Sequence, residues 1–196
     1  MGKRAAILAG LFVAAIAVAV GLYLFQPWRI FTTSTVTEDI PSAAPLPVPS
    51  QEPTAEPSAP AASATPDAPA GPDAPAGPAA PRELATGQLI SHEHASSGTV
   101  RILELADGSR ILRLEGLDTS DGPDLKVWLS DAPVIEGLAG WHVFDDGAYL
   151  DLGALKANKG DQNYEIPAAA VLGDYTSVSI WCARFAVSFA AAELKT

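Results

Sequence analysis

Thirteen prolines fall between residues 38 and 81, and no aromatic residue does. A stretch built from Pro, Ala and a few acids cannot bury enough apolar surface to offset its chain entropy. It also repeats itself, with DAPAGP at 67–72 and again at 73–78. Proline stiffens such a chain toward polyproline II at about 3.1 Å per residue, a reach on the order of 130 Å. The sequence therefore predicts a disordered spacer over 38–81. Folding is confined to what lies on either side of it.

The N-terminal side holds AAILAGLFVAAIAVAVGLYLF at residues 5–25, without a charge. As a helix it would span roughly 31 Å, the thickness of a bilayer core. Lys3 and Arg4 precede the run; Trp28 and Arg29 follow it. This bias predicts a single-pass anchor with its N-terminus inside and Trp28 at the far interface. A cleaved signal peptide would have a shorter apolar core and a small-residue cleavage site. The run instead ends in LYLFQPW, and no lipobox cysteine is present. The lipid bilayer is thus the first expected partner, through residues 5–25, and the globular part is expected outside the cytoplasm. A short anchor followed by an Ala/Pro/Gly-rich stretch suits a bacterial envelope.

From Arg82 to Thr196 the composition becomes globular, with 17 acids against 9 bases. About 115 residues make one ordinary domain. Its negative balance disfavours nucleic acid and anionic headgroups as partners. TVRILEL (99–105) and SRILRLE (109–115) flank Ala106-Asp107-Gly108. Asp-Gly between β-rich runs signals a hairpin, because Gly tolerates the positive φ of the turn. LKVWLS (125–130), AYLDLG (148–153), NYEIP (163–167) and 176–189 add further short strands. Short strands with Gly/Pro punctuation predict an all-β domain, an antiparallel β-sandwich.

Cys182 is the single cysteine, in SVSIWCARFAVSF (177–189). An odd cysteine outside the cytoplasm closes no internal disulfide; it is an inert core thiol, an intermolecular partner, or a reactive or ligating group. Val178, Ile180 and Cys182 share one face under period-2 alternation. Beyond them the apolar set changes parity to Ala183, Phe185, Val187 and Phe189. Such a change predicts a β-bulge at Cys182, the alternatives being a half-buried strand with imperfect alternation or two strands joined by a bend. On a regular strand Arg184 would share the face of Cys182 and favour its thiolate. The neighbouring Trp181 and Val178 favour an inert thiol instead.

The segments taken together resemble the DM-thirteen family, an extracytoplasmic domain proposed to serve electron transfer. The likeness covers nearly all of 87–194. It is carried by Gly87, His94, Ser97-Gly98-Thr99, TSDGPDLKVWLS (119–130), LGALKANKGDQNYEIP (152–167) and YTSVSIWCARFAVSFAAAEL (175–194). The resemblance implies a redox accessory role in the envelope, with an envelope redox protein as partner. It maps the family cysteine onto Cys182, as a bare thiol or as ligand of a group such as haem, and includes His94 in the pattern. The rival reading is a non-enzymatic adhesion or partner-binding module in which Cys182 is core.

His92-Glu93-His94 is a second candidate. Histidines two apart share a face of an extended chain and would offer two imidazoles to copper or zinc, with His142 and Cys182 as further donors. For His94 the plainer expectation is a hydrogen bond to the Ser96-Ser97-Gly98 turn. The acids Asp118, Asp121, Asp124 and Asp131 crowd one region, but DTSDGPD lacks the spacing and closing Glu of a calcium loop. Gly122-Pro123-Asp124 reads as a tight turn. No phosphate loop, nucleophile elbow or HExxH motif occurs, so nothing supports a stand-alone hydrolase.

Overall fold

The computed structural model describes residues 2–26, 28, 32–41 and 80–196. Most of the proline-rich stretch lies outside the described residues. Helix α1 (Lys3–Phe25) is apolar from Ile7 to Phe25 and long enough to cross a membrane. Its side chains from Ile7 to Phe25 are largely exposed, as an apolar surface that lipid would cover.

The rest is two five-stranded sheets packed face to face. In chain order the strands are β1 (Thr35–Thr37), β2 (Arg82–Gln88), β3 (Ile90–Ser91), β4 (Ser97–Glu104), β5 (Arg110–Asp118), β6 (Leu125–Ser130), β7 (Tyr149–Ala154), β8 (Lys159–Ile166), β9 (Ser177–Cys182) and β10 (Val187–Glu193). One sheet runs β1-β8-β5-β4-β2 and the other β3-β10-β9-β6-β7. Every pairing is antiparallel except that of β1 with β8.

Alternation builds the core, as expected for a sandwich. Val100 and Ile102 of β4, Leu112 and Leu114 of β5, Val127 and Leu129 of β6, and Val178, Ile180 and Cys182 of β9 all face inward. The second sheet buries its outer face too. Trp128, Trp181 and Ala191 lie beneath Ala132 and Phe144 of the 131–148 connection. Trp128 is stacked between Tyr149 and Trp181, at centroid distances of 4.0 and 5.1 Å. This cover explains why all six residues of β9 are buried.

The Asp107-Gly108 hairpin forms as the sequence predicts. The Leu105 carbonyl accepts from the Gly108 N–H, the Ser109 carbonyl from the Leu105 N–H, and Asp107 Oδ1 from the Ser109 N–H at 2.8 Å. Gly108 has φ +82°, the positive value that closes a three-residue loop.

One sequence reading is corrected, and one feature was not legible in the chain. The parity change after Cys182 comes from two strands joined by a tight turn, the alternative reading, rather than from a bulge. Cys182 pairs with Val187, and residues 183–186 form the turn between β9 and β10. The register irregularity comes later, between Ser188 and Ala190. Second, the segment preceding the proline-rich stretch belongs to the first sheet. Thr35, Val36 and Thr37 pair with Lys159, Gly160 and Asp161. Residues 38–41, counted with the spacer, then cross the outer face of that sheet. The Glu38 and Asp39 carbonyls accept from Arg113 Nη1 and Asn163 Nδ2, and Ile40 packs on Leu103 and Ile111. Lys156 binds the Glu38 carboxylate at 2.7 Å and holds its pKa below the usual carboxylate range.

A Cβ at position 108 would meet nothing within 4 Å, so substitution there tests backbone strain alone. Gly108→Val should destabilise the domain by about 1–2 kcal/mol, read as a lowered denaturant midpoint. An unchanged midpoint would show that the turn does not need positive φ.

Candidate functional site

Cys182 ends β9 at one end of the sandwich. The same end carries the connections 92–97, 119–124 and 155–158 and the turn 183–186. Its scaffold is polar and fully paired. Gln162 is completely buried on β8. Its Oε1 accepts from the Lys156 and Ala157 N–H groups and from the Tyr164 hydroxyl, and its Nε2 donates to the Ala157 carbonyl. Burial pushes the Tyr164 phenol up to about 12, which keeps it a donor at any ordinary pH. Asn158 then fastens the neighbouring elements. Its Nδ2 donates to the Thr119 carbonyl, and its Oδ1 accepts from the Ser34 N–H at 2.7 Å.

Cys182 has no exposed surface. Leu125 pairs with it from β6 and Val187 from β10. The Ala183 N–H donates to the Asp124 carbonyl, and the Phe185 N–H to the Cys182 carbonyl. Ala186 completes the turn at φ +49°, with its carbonyl accepting from His142 Nδ1 at 2.7 Å. Burial pushes the thiol pKa up. The nearby backbone of Phe185, Arg184 and Asp124 pulls part of the way back, while the Glu93 carboxylate adds to the rise. The sulfur is therefore a protonated thiol at rest. Arg184 is exposed in the turn and does not share the inward face of Cys182. Trp181 points to the opposite side of the sheet.

The two histidines of the H-x-H motif diverge, because the extended conformation stops at Ser91. His92 is buried under the 131–148 connection. One ring nitrogen bonds Ser188 Oγ at 2.9 Å and the other meets the Ile135 carbonyl at 3.1 Å. His94 lies on Phe189, with centroids 3.9 Å apart, and its Nε2 is 3.7 Å from Glu93. Ser188 faces outward and Phe189 inward on β10, so the two rings serve opposite faces of one strand. The turn is held by the His94 main chain, whose carbonyl accepts from Ser96 Oγ, while the ring lies on Phe189. Among the described residues no three His, Cys, Asp or Glu side chains converge as metal ligands.

The acids of 118–131 are spoken for individually. Asp118 pairs with Lys159, and Asp124 lies near Lys126. Asp121 accepts from Thr32 Oγ1 and the Gly122 N–H. Asp131 accepts from the Ala148 N–H. The serines of the second sheet escaped sequence reasoning. Ser179 donates to Ser188, and Ser188 to the Ala190 carbonyl at the register shift. Their only sequence signal was polar residues recurring at the outward positions of two apolar strands.

The family model described as electron transfer DM13 matches residues 88–194. The chain belongs to this family. No curated protein and no solved structure gives a significant match. The DM13 match contains Cys182, His92 and His94 and most of the scaffold around them.

A DM13 domain that held haem or copper through Cys182 would need room and further donors beside the sulfur. The cavity at this end, lined by Asp121, Asp124, Leu125 and Leu155, has a volume of about 150 Å³. Cofactor pockets usually run to about 300–1,000 Å³. The surroundings of Cys182 do not fit a haem, and among the described residues no three metal-ligating side chains converge to fit copper.

Burial lowers the His92 pKa. Its ring is thus held neutral, while the unfolded chain takes up a proton below about pH 6.5. The stability that His92 contributes is complete above that pH and is lost as pH falls toward the folded value. His92→Gln should therefore flatten the loss of melting temperature between pH 7 and pH 5, compared at equal salt. Parallel losses in both proteins would show that the ring is not the group being protonated.

Proposed function

We propose that this protein is a membrane-tethered redox accessory of the DM13 family. Helix α1 holds it in the bilayer, its domain lies outside the cytoplasm, and the Cys182 sulfur is its working group. The observation that carries the reading is the position of that sulfur. Cys182 closes β9 at the foot of the exposed 183–186 turn, so a local opening, short of global unfolding, suffices to expose it.

The step that fits one isolated sulfur is exchange with the disulfide of an envelope redox protein. Cys182 loses its proton, and its thiolate attacks one partner sulfur. A new S–S bond forms to Cys182, and the partner's other sulfur leaves as a thiolate and takes up the proton. Access requires the 183–186 turn to lift. It is a short exposed segment whose Ala186 sits in a sparsely populated backbone region.

The zero exposure of Cys182 favours a second reading, a partner-binding module with a core cysteine. The two separate on rates. Full-length protein in its membrane is mixed with a small aromatic disulfide, and thiol release is followed spectroscopically from pH 7 to pH 10. The redox reading expects mixed-disulfide formation faster than global unfolding. It also expects a pH midpoint above the roughly 8.5 of a free thiol, in line with the raised pKa. Reaction only at the global unfolding rate would assign Cys182 to the core. In that case Cys182→Ala should cost about 1 kcal/mol and nothing else.

A further inference from the structure

The parallel pairing of β1 decides where the domain stands. Thr32 donates to Asp121, the Ser34 N–H to Asn158 Oδ1, and the Lys159 N–H to the Ser34 carbonyl. All three fasten the incoming chain to the Cys182 end of the sandwich. Helix α1 ends at Phe25, seven residues before Thr32. Seven residues reach at most about 25 Å when fully extended. The ring of Phe25 also stacks on Phe185, at the tip of the 183–186 turn, with centroids 5.9 Å apart.

Both ends of the proline-rich stretch sit at the other end of the domain. β1 runs parallel to β8, so its chain leaves toward the Asp107-Gly108 hairpin, where Ile40 packs on Leu103 and Ile111. The chain returns at Arg82, opposite Glu104 and next to that same hairpin. Leu103 pairs with Glu83, so Ile40 and β2 lie about two strand spacings apart, roughly 10 Å. A stretch with both ends fixed there adds nothing to the distance between the bilayer and the domain.

We infer that β1 clamps the domain directly onto the outer surface of the bilayer with its Cys182 end toward the lipid, and that the proline-rich stretch is a distal excursion rather than a spacer. The inference rests on the membrane anchor proposed above. The tether, not charge, holds the surface in place, since an acidic domain gains nothing from anionic headgroups. Arg184 and the half-exposed Phe185 form the contacting tip, a pair suited to the interface between headgroups and hydrocarbon. A partner of Cys182 must then reach it within the membrane-proximal layer.

The test uses the full chain in vesicles, carrying Cys182→Ala and a nitroxide at either Arg184→Cys or Ser109→Cys. Broadening by a paramagnetic ion chelated to lipid headgroups reports proximity. The expected result is broadening at least severalfold stronger at 184 than at 109, unchanged when residues 48–75 are deleted. The 12 residues left between Pro41 and Arg82 still span the gap with room to spare. Val36→Pro with Glu38→Ala, which removes β1 from the sheet, should reduce the signal at 184 severalfold. Equal broadening at the two sites, or a change on deleting 48–75, in a chain that floats with the vesicles overturns the clamp while leaving the anchor standing. A chain that fails to float with the vesicles overturns the anchor, and the clamp with it.

Discussion

Everything at the candidate site depends on β9 being buried on both faces. A strand alternates its side chains, so one inward set and one outward set must each find cover. Val178, Ile180 and Cys182 find it in the inter-sheet core; Ser179 and Trp181 find it beneath the 131–148 connection. That second cover excludes water from both sides of the peptide units around residue 182. Burial in the inter-sheet core raises the thiol pKa, and His92, wedged under the 131–148 connection, is held neutral. The site is thus set by packing first, with its electrostatics following.

The buried amides, hydroxyls and His92 of the domain are hydrogen-bonded, whereas the indole N–H groups of Trp128 and Trp141 have no partner among the described residues. Gln162 shapes the 155–158 connection by bonding to its backbone. Asn158 passes that order on to Thr119 and to Ser34. Buried amides that are fully satisfied specify one arrangement, because any other would leave them unpaired at a cost of about 1–3 kcal/mol each. The network joins the entry of β1 to the loop before β6, and so to Cys182. The chain entering from the side of helix α1 and the candidate site share one scaffold.

Several parts of this picture were legible in the chain. The apolar run, the Asp107-Gly108 hairpin, the strand pattern and the inward face of Val178, Ile180 and Cys182 all follow from local rules of length, turn chemistry and period. The parity change after Cys182 was visible, but its meaning was not. A bulge and a tight hairpin produce the same local apolar pattern, and only the pairing of Cys182 with Val187 distinguishes them. The H-x-H motif misled for a similar reason. Its shared face exists only while the chain stays extended, and the chain bends after Ser91.

The sequence by itself determined the class of fold, the membrane-compatible helix, the family and the residue most worth testing, because each is written in local composition or in a linear motif. Tertiary structure decided the rest. Residues 35–37 carry too short a β signal to be assigned a partner, yet Gly160, with φ +100°, admits them to the edge of β8; a Cβ there would meet the Val36 carbonyl at 2.0 Å. Long-range hydrogen bonds of this kind depend on which surfaces meet, and nothing within a window of neighbouring residues encodes that. They place the incoming chain at the Cys182 end and both ends of the proline-rich stretch at the other.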